Sequence, residues 1–351
     1  MDLPAIEYVA TQDGFSIAYS VCGEGHPLVF VPPVMHHVHE AWQEEGRREW
    51  LQALASRYRL VLYDGRGTGL STRGLPQTFK GSDRIVDLET VVDEVRLESF
   101  VLLAVGTNGH SAIGYATRHP ERVSALVLIS CGIKPQTWPP ALLRTLAQDD
   151  WDTFLYTILR PGRSHEATLQ VAGQMKRRVD QDDFAIMVNN FLSSSIQDEL
   201  ERLTSPTLVI HPRGVKVPSY EDCGELASRI PGSRFAIIEG TQTGGLVYGT
   251  FGDPESGMSA IEGFLAGVTG ARQPLHGSLP ATKGIDVPVL SMRQQQVLRL
   301  LAEGKTTREI AAALVLSERT VERHIADIYT RIGARNRAEA TAYALGNLGA
   351  F

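Results

Sequence analysis

The stretch VLLAVGTNGHSAIGYATRHPERV, residues 101–123, decides the fold. A short apolar run over 100–105 reads as a strand buried on both faces. A sharp turn over 104–109 follows, with Gly106 and Gly109 supplying backbone freedom. A helix over 109–118 then stops at His119-Pro120. Strand, tight turn and helix in this order form the repeating unit of a parallel sheet covered by helices.

The same unit recurs on either side. Strands are expected over 15–21, 28–31, 60–63, 125–129, 207–211 and 235–238, besides 100–105. Helices are expected over 47–56, 84–95, 109–118, 220–229 and 256–265. The alternation predicts a mostly parallel sheet with helices on both faces. After the strand at 60–63 comes Tyr63-Asp64-Gly65-Arg66-Gly67-Thr68-Gly69-Leu70-Ser71. No G-x-G-x-x-G follows the first strand, so a dinucleotide-binding fold is disfavoured. The D-G-R-G-x-G-x-S and R-H-P-E-R-V runs together resemble the α/β-hydrolase superfamily, over 14 to about 267.

That resemblance implies a catalytic triad, and the triad is where the chain departs from it. The nucleophile belongs in G-x-S-x-G at the strand-to-helix elbow. Here that window is Ala104-Val105-Gly106-Thr107-Asn108, with Gly106 at the nucleophile position. The acid belongs in the loop 211–218, where Gly214 takes its place and no Asp or Glu occurs. The base belongs in a Gly-x-x-His pattern, which reads Gly240-Thr241-Gln242-Thr243. Ser111, in Gly109-His110-Ser111, imitates a nucleophile motif but lies inside the helix, with Ile113 where glycine is required. No catalytic residue is therefore expected. The oxyanion-hole donors implied by the resemblance are the N–H groups of Thr107 and Val34, able to hold an oxygen without chemistry.

The segment from about 135 to 203 falls where the superfamily inserts a cap. Trp151, Phe154, Leu155 and Ile158 share one helical face, and Phe184, Met187, Val188 and Phe191 another. Each of these packs the cap or walls a pocket, and together they suit a small, mainly apolar ligand. Expected wall residues are Val34, Met35, His36, Gly106, Thr107, Trp138, Phe191 and Thr243. His36, His37 and His39 cluster without a matched acidic or Cys partner, so neither a metal nor a cofactor is expected.

The second informative stretch is residues 290–344, LSMRQQQVLRLLAEGKTTREIAAALVLSERTVERHIADIYTRIGARNRAEATAYA. Ser291, Thr306 or Thr307, Ser317 and Asn336 are N-caps for four helices, with Gln294 a capping-box partner and Gly304 and Gly333 as stops. Val321, Ile325, Ile328 and Ile332 face a core, leaving Arg319, Glu322, Arg323 and Ala326 outward, as a major-groove helix requires. Leu298, Glu303-Gly304, Glu309-Ile310-Ala311, Leu314, Ser317, Thr320-Val321, His324, Ile328 and Asn336-Arg337 resemble the LuxR-type (GerE-like) helix-turn-helix family. The resemblance implies contacts to double-stranded DNA from Lys305, Thr307, Arg308, Arg319, Thr320, Glu322, Arg323, His324, Arg331 and Arg335, with Arg337 a further phosphate candidate. Arg323 suits guanine O6/N7 and Glu322 cytosine N4. From residue 286 onward, nine Lys/Arg stand against seven Asp/Glu, whereas residues 1–285 carry a net charge of −8. So modest a basic bias makes weak monomer binding, and hence a homodimer on two half-sites, the expectation.

At 351 residues and 43% hydrophobic, the chain can hold two domains. The expected division is 1–269 for the hydrolase-like domain, a Gly/Pro-rich linker over 270–287, and 288–351 for the DNA reader. Cys22, Cys131 and Cys223 lie too far apart in sequence for a disulfide framework. No signal peptide or membrane-length apolar run is visible, which suggests a cytoplasmic protein. These observations point to a catalytically silent sensor that controls DNA binding. Two alternatives stay open: a hydrolase with residual or non-standard activity, and a constitutive regulator whose larger domain serves only dimerisation.

Overall fold

The computed structural model describes residues 3–44, 46–133, 149–159, 164–193, 196–215, 218–240, 251–269, 292–302, 305–314, 316–332, 334, 337 and 340. The linker and the residues Trp138, Thr243, Ser291, Gly304, Gly333, Arg335 and Asn336 lie outside them.

The larger domain is built on one eight-stranded sheet. Its strands are β1 (Glu7–Ala10), β2 (Ser16–Cys22), β3 (Pro27–Val31), β4 (Arg59–Tyr63), β5 (Phe100–Val105), β6 (Val123–Ile129), β7 (Thr207–Pro212) and β8 (Arg234–Ile238). Their order across the sheet is β1-β2-β4-β3-β5-β6-β7-β8. β1 and β2 run antiparallel, and the remaining strands are parallel to one another. The seven expected strands are all present. β1 was not expected, because four mostly exposed residues at a sheet edge carry no apolar alternation.

The parallel strands alternate their side chains between two cores. On one face, Val29, Val31, Leu102 and Ala104 join Ile85, Leu88, Ile113 and Leu226. These come from α2 (Asp83–Glu94), α3 (Gly109–Arg118) and a later helix, Tyr220–Arg229. On the other face, Leu28, Phe30, Val101 and Leu103 join Trp50, Leu51, Ile261 and Phe264. Those belong to α1 (Arg47–Ala55) and the helix Pro254–Thr269. Gly257 makes that contact possible: a Cβ there would sit 2.1 Å from Trp50. The Trp50 indole N–H also donates to the Gly252 carbonyl at 2.8 Å.

Between β6 and β7 stand α4 (Trp151–Leu159), α5 (His165–Arg178), α6 (Gln181–Ser193) and α7 (Gln197–Arg202). The helices Tyr220–Arg229 and Pro254–Thr269 are thus α8 and α9. α4, α5 and α6 share their own core of Phe154, Leu155, Ile158, Met175, Phe184 and Met187 with Met35, Leu75 and Phe79. α7 differs: its Leu200, flanked by Ile196 and Leu203, packs into the core of α2 and α3. The cap is tied down by buried charge. Arg178, 1% exposed, pairs with Glu40 at 2.7 Å and with Glu44. Asp183 accepts the N–H groups of Gly74 (2.9 Å) and Leu75 (2.6 Å).

The C-terminal unit holds α10 (Met292–Ala302), α11 (Thr307–Leu314) and α12 (Glu318–Ile332) around Val297, Leu298, Leu301, Ile310, Val321 and Ile328. No described helix is long and apolar enough to cross a membrane.

Candidate functional site

The chain leaves β5 through an abrupt turn. Val105 is extended (φ −126°, ψ 134°), Gly106 has φ +65°, and a single 3-10 turn over Gly106–Asn108 leads into α3. A left-handed φ costs glycine nothing, whereas any other residue is strained there. The elbow therefore has its sharp geometry with no side chain at its apex. Ser111 sits within α3, half-buried and past the turn.

Beside the elbow runs the loop after β3, because Val31 pairs with Ala104. Met35 takes φ +69° within it, an uncommon conformation for a side chain of that size. Asp64 holds the loop in place. One of its oxygens accepts from His36 Nδ1 (2.8 Å) and from the Val38 N–H (2.9 Å), and the other accepts from the Leu70 N–H (2.9 Å). His36 and Asp64 are both fully buried. Burial lowers the pKa of His36 more than Asp64 raises it, so the ring is neutral. With Nδ1 donating to Asp64, Nε2 is an acceptor, and among the described residues it has no hydrogen-bond partner.

Around the elbow stand two more groups of interest. His110 Nε2 meets the Gly132 carbonyl at 3.1 Å, and its ring lies 5.2 Å from Phe191. Burial lowers its pKa as well. Cys131 sits against the elbow, where a Cβ on Gly109 would come within 2.6 Å of its Sγ. Burial pushes its thiol up to about 12, so it is no thiolate nucleophile at neutral pH.

The loops after β7 and β8 pack together. Arg213 N–H donates to the Ile238 carbonyl at 2.8 Å, and a Cβ on Gly240 would lie 1.7 Å from the Arg213 carbonyl oxygen. Gly214 has φ +83°, and none of the described residues lies within 4 Å of where its side chain would project.

The expected wall residues are thus sorted. Val34, Gly106, Thr107 and Phe191 are half-buried about the elbow and the cap. Met35 is fully buried in the cap core, and His36 is locked on Asp64. Trp151 stacks on Phe154 and both meet the tilted ring of Phe184, with centroids 4.9–5.4 Å apart, so these aromatics chiefly hold the cap together. The sequence reading missed Asp64 as the organiser of the loop. Its only signal was its place in the 63–71 run. Among the described residues no group of three His, Cys, Asp or Glu side chains converges as a metal-ligand set.

The second candidate surface is α12. Ser317 Oγ accepts from the Thr320 N–H at 3.1 Å and caps the helix. Thr306, not Thr307, caps α11: its hydroxyl accepts from the Glu309 N–H, and the Glu309 carboxylate returns to the Thr306 N–H at 2.7 Å. Those bonds lower the pKa of Glu309. Arg319, Glu322, Arg323 and Ala326 are exposed on one side, and Val321 and Ile328 are buried on the other. Lys305 and Arg308 are exposed, while Thr307 and Thr320 are half-buried. His324 is half-buried, with Nδ1 enclosed and without a partner among the described residues, and Arg337 donates to the carbonyls of Leu301 (3.1 Å) and Lys305 (2.6 Å). The side chain of Arg331 lies outside the described ones.

Comparison with known proteins agrees with both halves. Residues 27–169 match the alpha/beta hydrolase fold family, and residues 288–344 match GerE, bacterial regulatory proteins of the luxR family. The cis-3-alkyl-4-alkyloxetan-2-one decarboxylase of Shewanella oneidensis is 30% identical over 167 residues, covering 46% of this chain and 49% of that protein. The spore germination protein GerE of Bacillus subtilis is 42% identical over 53 residues, 15% of this chain and 72% of that protein. A thermophilic esterase from Thermogutta terrifontis superposes with a TM-score of 0.59 at 21% identity, covering 75% of this chain and 99% of that one. The chain is an α/β-hydrolase-fold domain fused to a GerE/LuxR-type helix-turn-helix domain.

Proposed function

We propose that this protein is a ligand-responsive transcriptional regulator of the cytoplasm. Its larger domain binds a small, mainly apolar molecule without turning it over, and its helix-turn-helix reads a double-stranded operator as a homodimer. The observation that carries this reading is Gly106 at the apex of the elbow, with φ +65° and no nucleophilic side chain. Gly214 after β7 and Thr243 after β8 take the remaining two triad positions by alignment of the motifs. Loss of one triad member already leaves only about 10³–10⁴-fold over water, and further losses add little. The emptied apex, the Val34 and Thr107 backbone and Phe191 offer a place for a ligand oxygen and an apolar body. Such a ligand regulates only through different affinities for the DNA-competent and DNA-incompetent states.

The test is a thermal-shift screen with small esters, lactones and aromatic acids, followed by binding of the full chain to a selected DNA site. A ligand at a hundred times its dissociation constant adds about 2.7 kcal/mol to stability. Gly106→Trp fills the apex and is expected to abolish the shift and the DNA response. Because its left-handed φ costs a tryptophan about 1–3 kcal/mol, Thr107→Trp serves as a second, unstrained block. Ligand response retained in both variants overturns the pocket. Ester turnover by the wild type that Ser111→Ala removes overturns the non-catalytic reading.

A further inference from the structure

Arg84 is a cation in an unusual setting. It lies in the first turn of α2, and the next residue, Ile85, is pressed against α3, where a Cβ on Gly114 would come within 2.9 Å of Ile85 Cδ1. Its guanidinium Nη2 donates to the Pro32 carbonyl at 3.3 Å, its one hydrogen bond among the described residues. Pro32 directly follows Val31, which pairs with Ala104, so Arg84 reaches the C-terminal edge of the sheet beside the elbow. Gly65 presents only backbone toward it, the position of a Cβ there being 3.7 Å from Nη2.

Asp87 acts on this charge only through space, with no hydrogen bond or ion pair between the two. Among the described residues no carboxylate pairs with Arg84. Asp87, a nearby acid, is taken by Arg66, whose Nε meets one oxygen at 2.7 Å and whose N–H meets the other at 2.9 Å. Arg84 keeps some surface exposed, yet it sits deep enough that burial lowers its pKa from the ordinary arginine value. An arginine remains charged even so. A guanidinium carries five N–H donors in a rigid fork, and a single long bond to Pro32 leaves most of that fork unused. Elsewhere in this domain the buried guanidiniums of Arg66 and Arg178 each hold two carboxylates, which makes the empty fork of Arg84 stand apart.

The geometry points to Arg84 as an anion subsite of the ligand pocket, recognising a carboxylate on an otherwise apolar ligand. This inference rests on the sensor reading above and adds the ligand's chemical class. The carboxylate docks on the fork of Arg84 at the Pro32–Gly65 edge, and the apolar body extends across the emptied elbow toward Phe191. Planar, two-point pairing with a guanidinium is the interaction that favours a carboxylate over its uncharged ester.

The test compares octanoate, benzoate and phenylacetate with their methyl esters, by thermal shift and ligand-observed NMR on the full chain. Wild type is expected to favour at least one acid over its ester by roughly ten- to a hundredfold, the worth of a charge-assisted pair. Arg84→Gln is expected to erase that preference, lowering acid affinity roughly ten- to a hundredfold relative to ester affinity, with DNA affinity in the absence of ligand unchanged. Arg84→Lys keeps the charge but not the fork and is expected to fall between. Acids that stabilise wild type no better than Arg84→Gln overturn the subsite, as does a lower unliganded melting temperature with an unchanged acid-to-ester ratio. If esters bind as well as acids and both Gly106→Trp and Thr107→Trp block them, the anion subsite falls and the sensor reading stands. If acid selectivity is lost in Arg84→Gln but survives both Gly106→Trp and Thr107→Trp, the anion subsite holds and the elbow pocket falls.

Discussion

The starts of α3 and α12 are opposite solutions to the same local problem. Each helix begins after a tight connection and leaves its first N–H groups unpaired. At α12 the solution is local: Ser317 caps the backbone, and the next turn projects Arg319, Glu322 and Arg323 outward. At α3 no side chain caps the helix, the preceding glycine takes φ +65°, and the apex stays bare. Its surroundings come from far away in sequence, through Asp64 on the β4 loop, Phe191 on α6 and Arg84 on α2. The outward face of α12 is written in consecutive residues, whereas the surroundings of the elbow are assembled from distant ones.

The largest expected effect tests that distant assembly. Asp64→Ala leaves the buried donors of His36, Val38 and Leu70 without an acceptor and, at about 1–3 kcal/mol for each such donor, is expected to cost about 3–5 kcal/mol. Denaturant unfolding should show the loss in the larger domain, with α10–α12 still folded by heteronuclear NMR. If the loss is confined to a few tenths of a kcal/mol, Asp64 does not organise the loop.

Acid should act on the same domain. His211, at the end of β7, is buried and its pKa is lowered to about 4 by desolvation. The unfolded chain therefore binds a proton that the folded one refuses between about pH 6.5 and pH 4. Stability is complete above the unfolded value and falls with pH across that window, by about 3 kcal/mol at most for this group. His36 and His110 shift in the same direction and add to the loss. His211→Phe should flatten the pH dependence of the melting temperature, and an unchanged slope would show that His211 is not the titrating group.

On the reading helix, Arg323→Ala is expected to cost about 1–3 kcal/mol at one base position and to relax selectivity there. Arg319→Ala should weaken binding uniformly and shallow the salt dependence by about one unit. Identical salt slopes and selectivity for the two variants would remove the division between base and phosphate contacts. The smallest effect is Ser317→Ala, about 1 kcal/mol from the cap alone, read by thermal melting of the C-terminal unit. A melting temperature of the larger domain that moves with it would break the comparison drawn between the two helix starts.

Much of the architecture was readable without coordinates. Seven strands follow from short apolar runs bounded by glycine or proline, and Gly106 was locatable because its turn lies between a strand and a helix stop at His119-Pro120. The caps of α11 and α12 were legible because Thr306, Glu309 and Ser317 act within three residues. The inward role of Met35 was not legible, nor was the closure of Trp151 on Phe154 and Phe184, because apolar side chains suit a core and a pocket wall equally well.

By itself the sequence determined the two-domain division, seven of the eight strands, the glycine at the apex and the outward face of α12. All of these depend on period, punctuation and neighbours within one turn. Only the tertiary structure decided that Asp64 clasps His36, that Arg178 pins the cap to the loop after β3 and Asp183 pins it to the loop after β4, and that no carboxylate among the described residues pairs with Arg84. Those facts join residues separated by 28 to 138 positions, and which charge meets which is settled by packing rather than by the order of the chain.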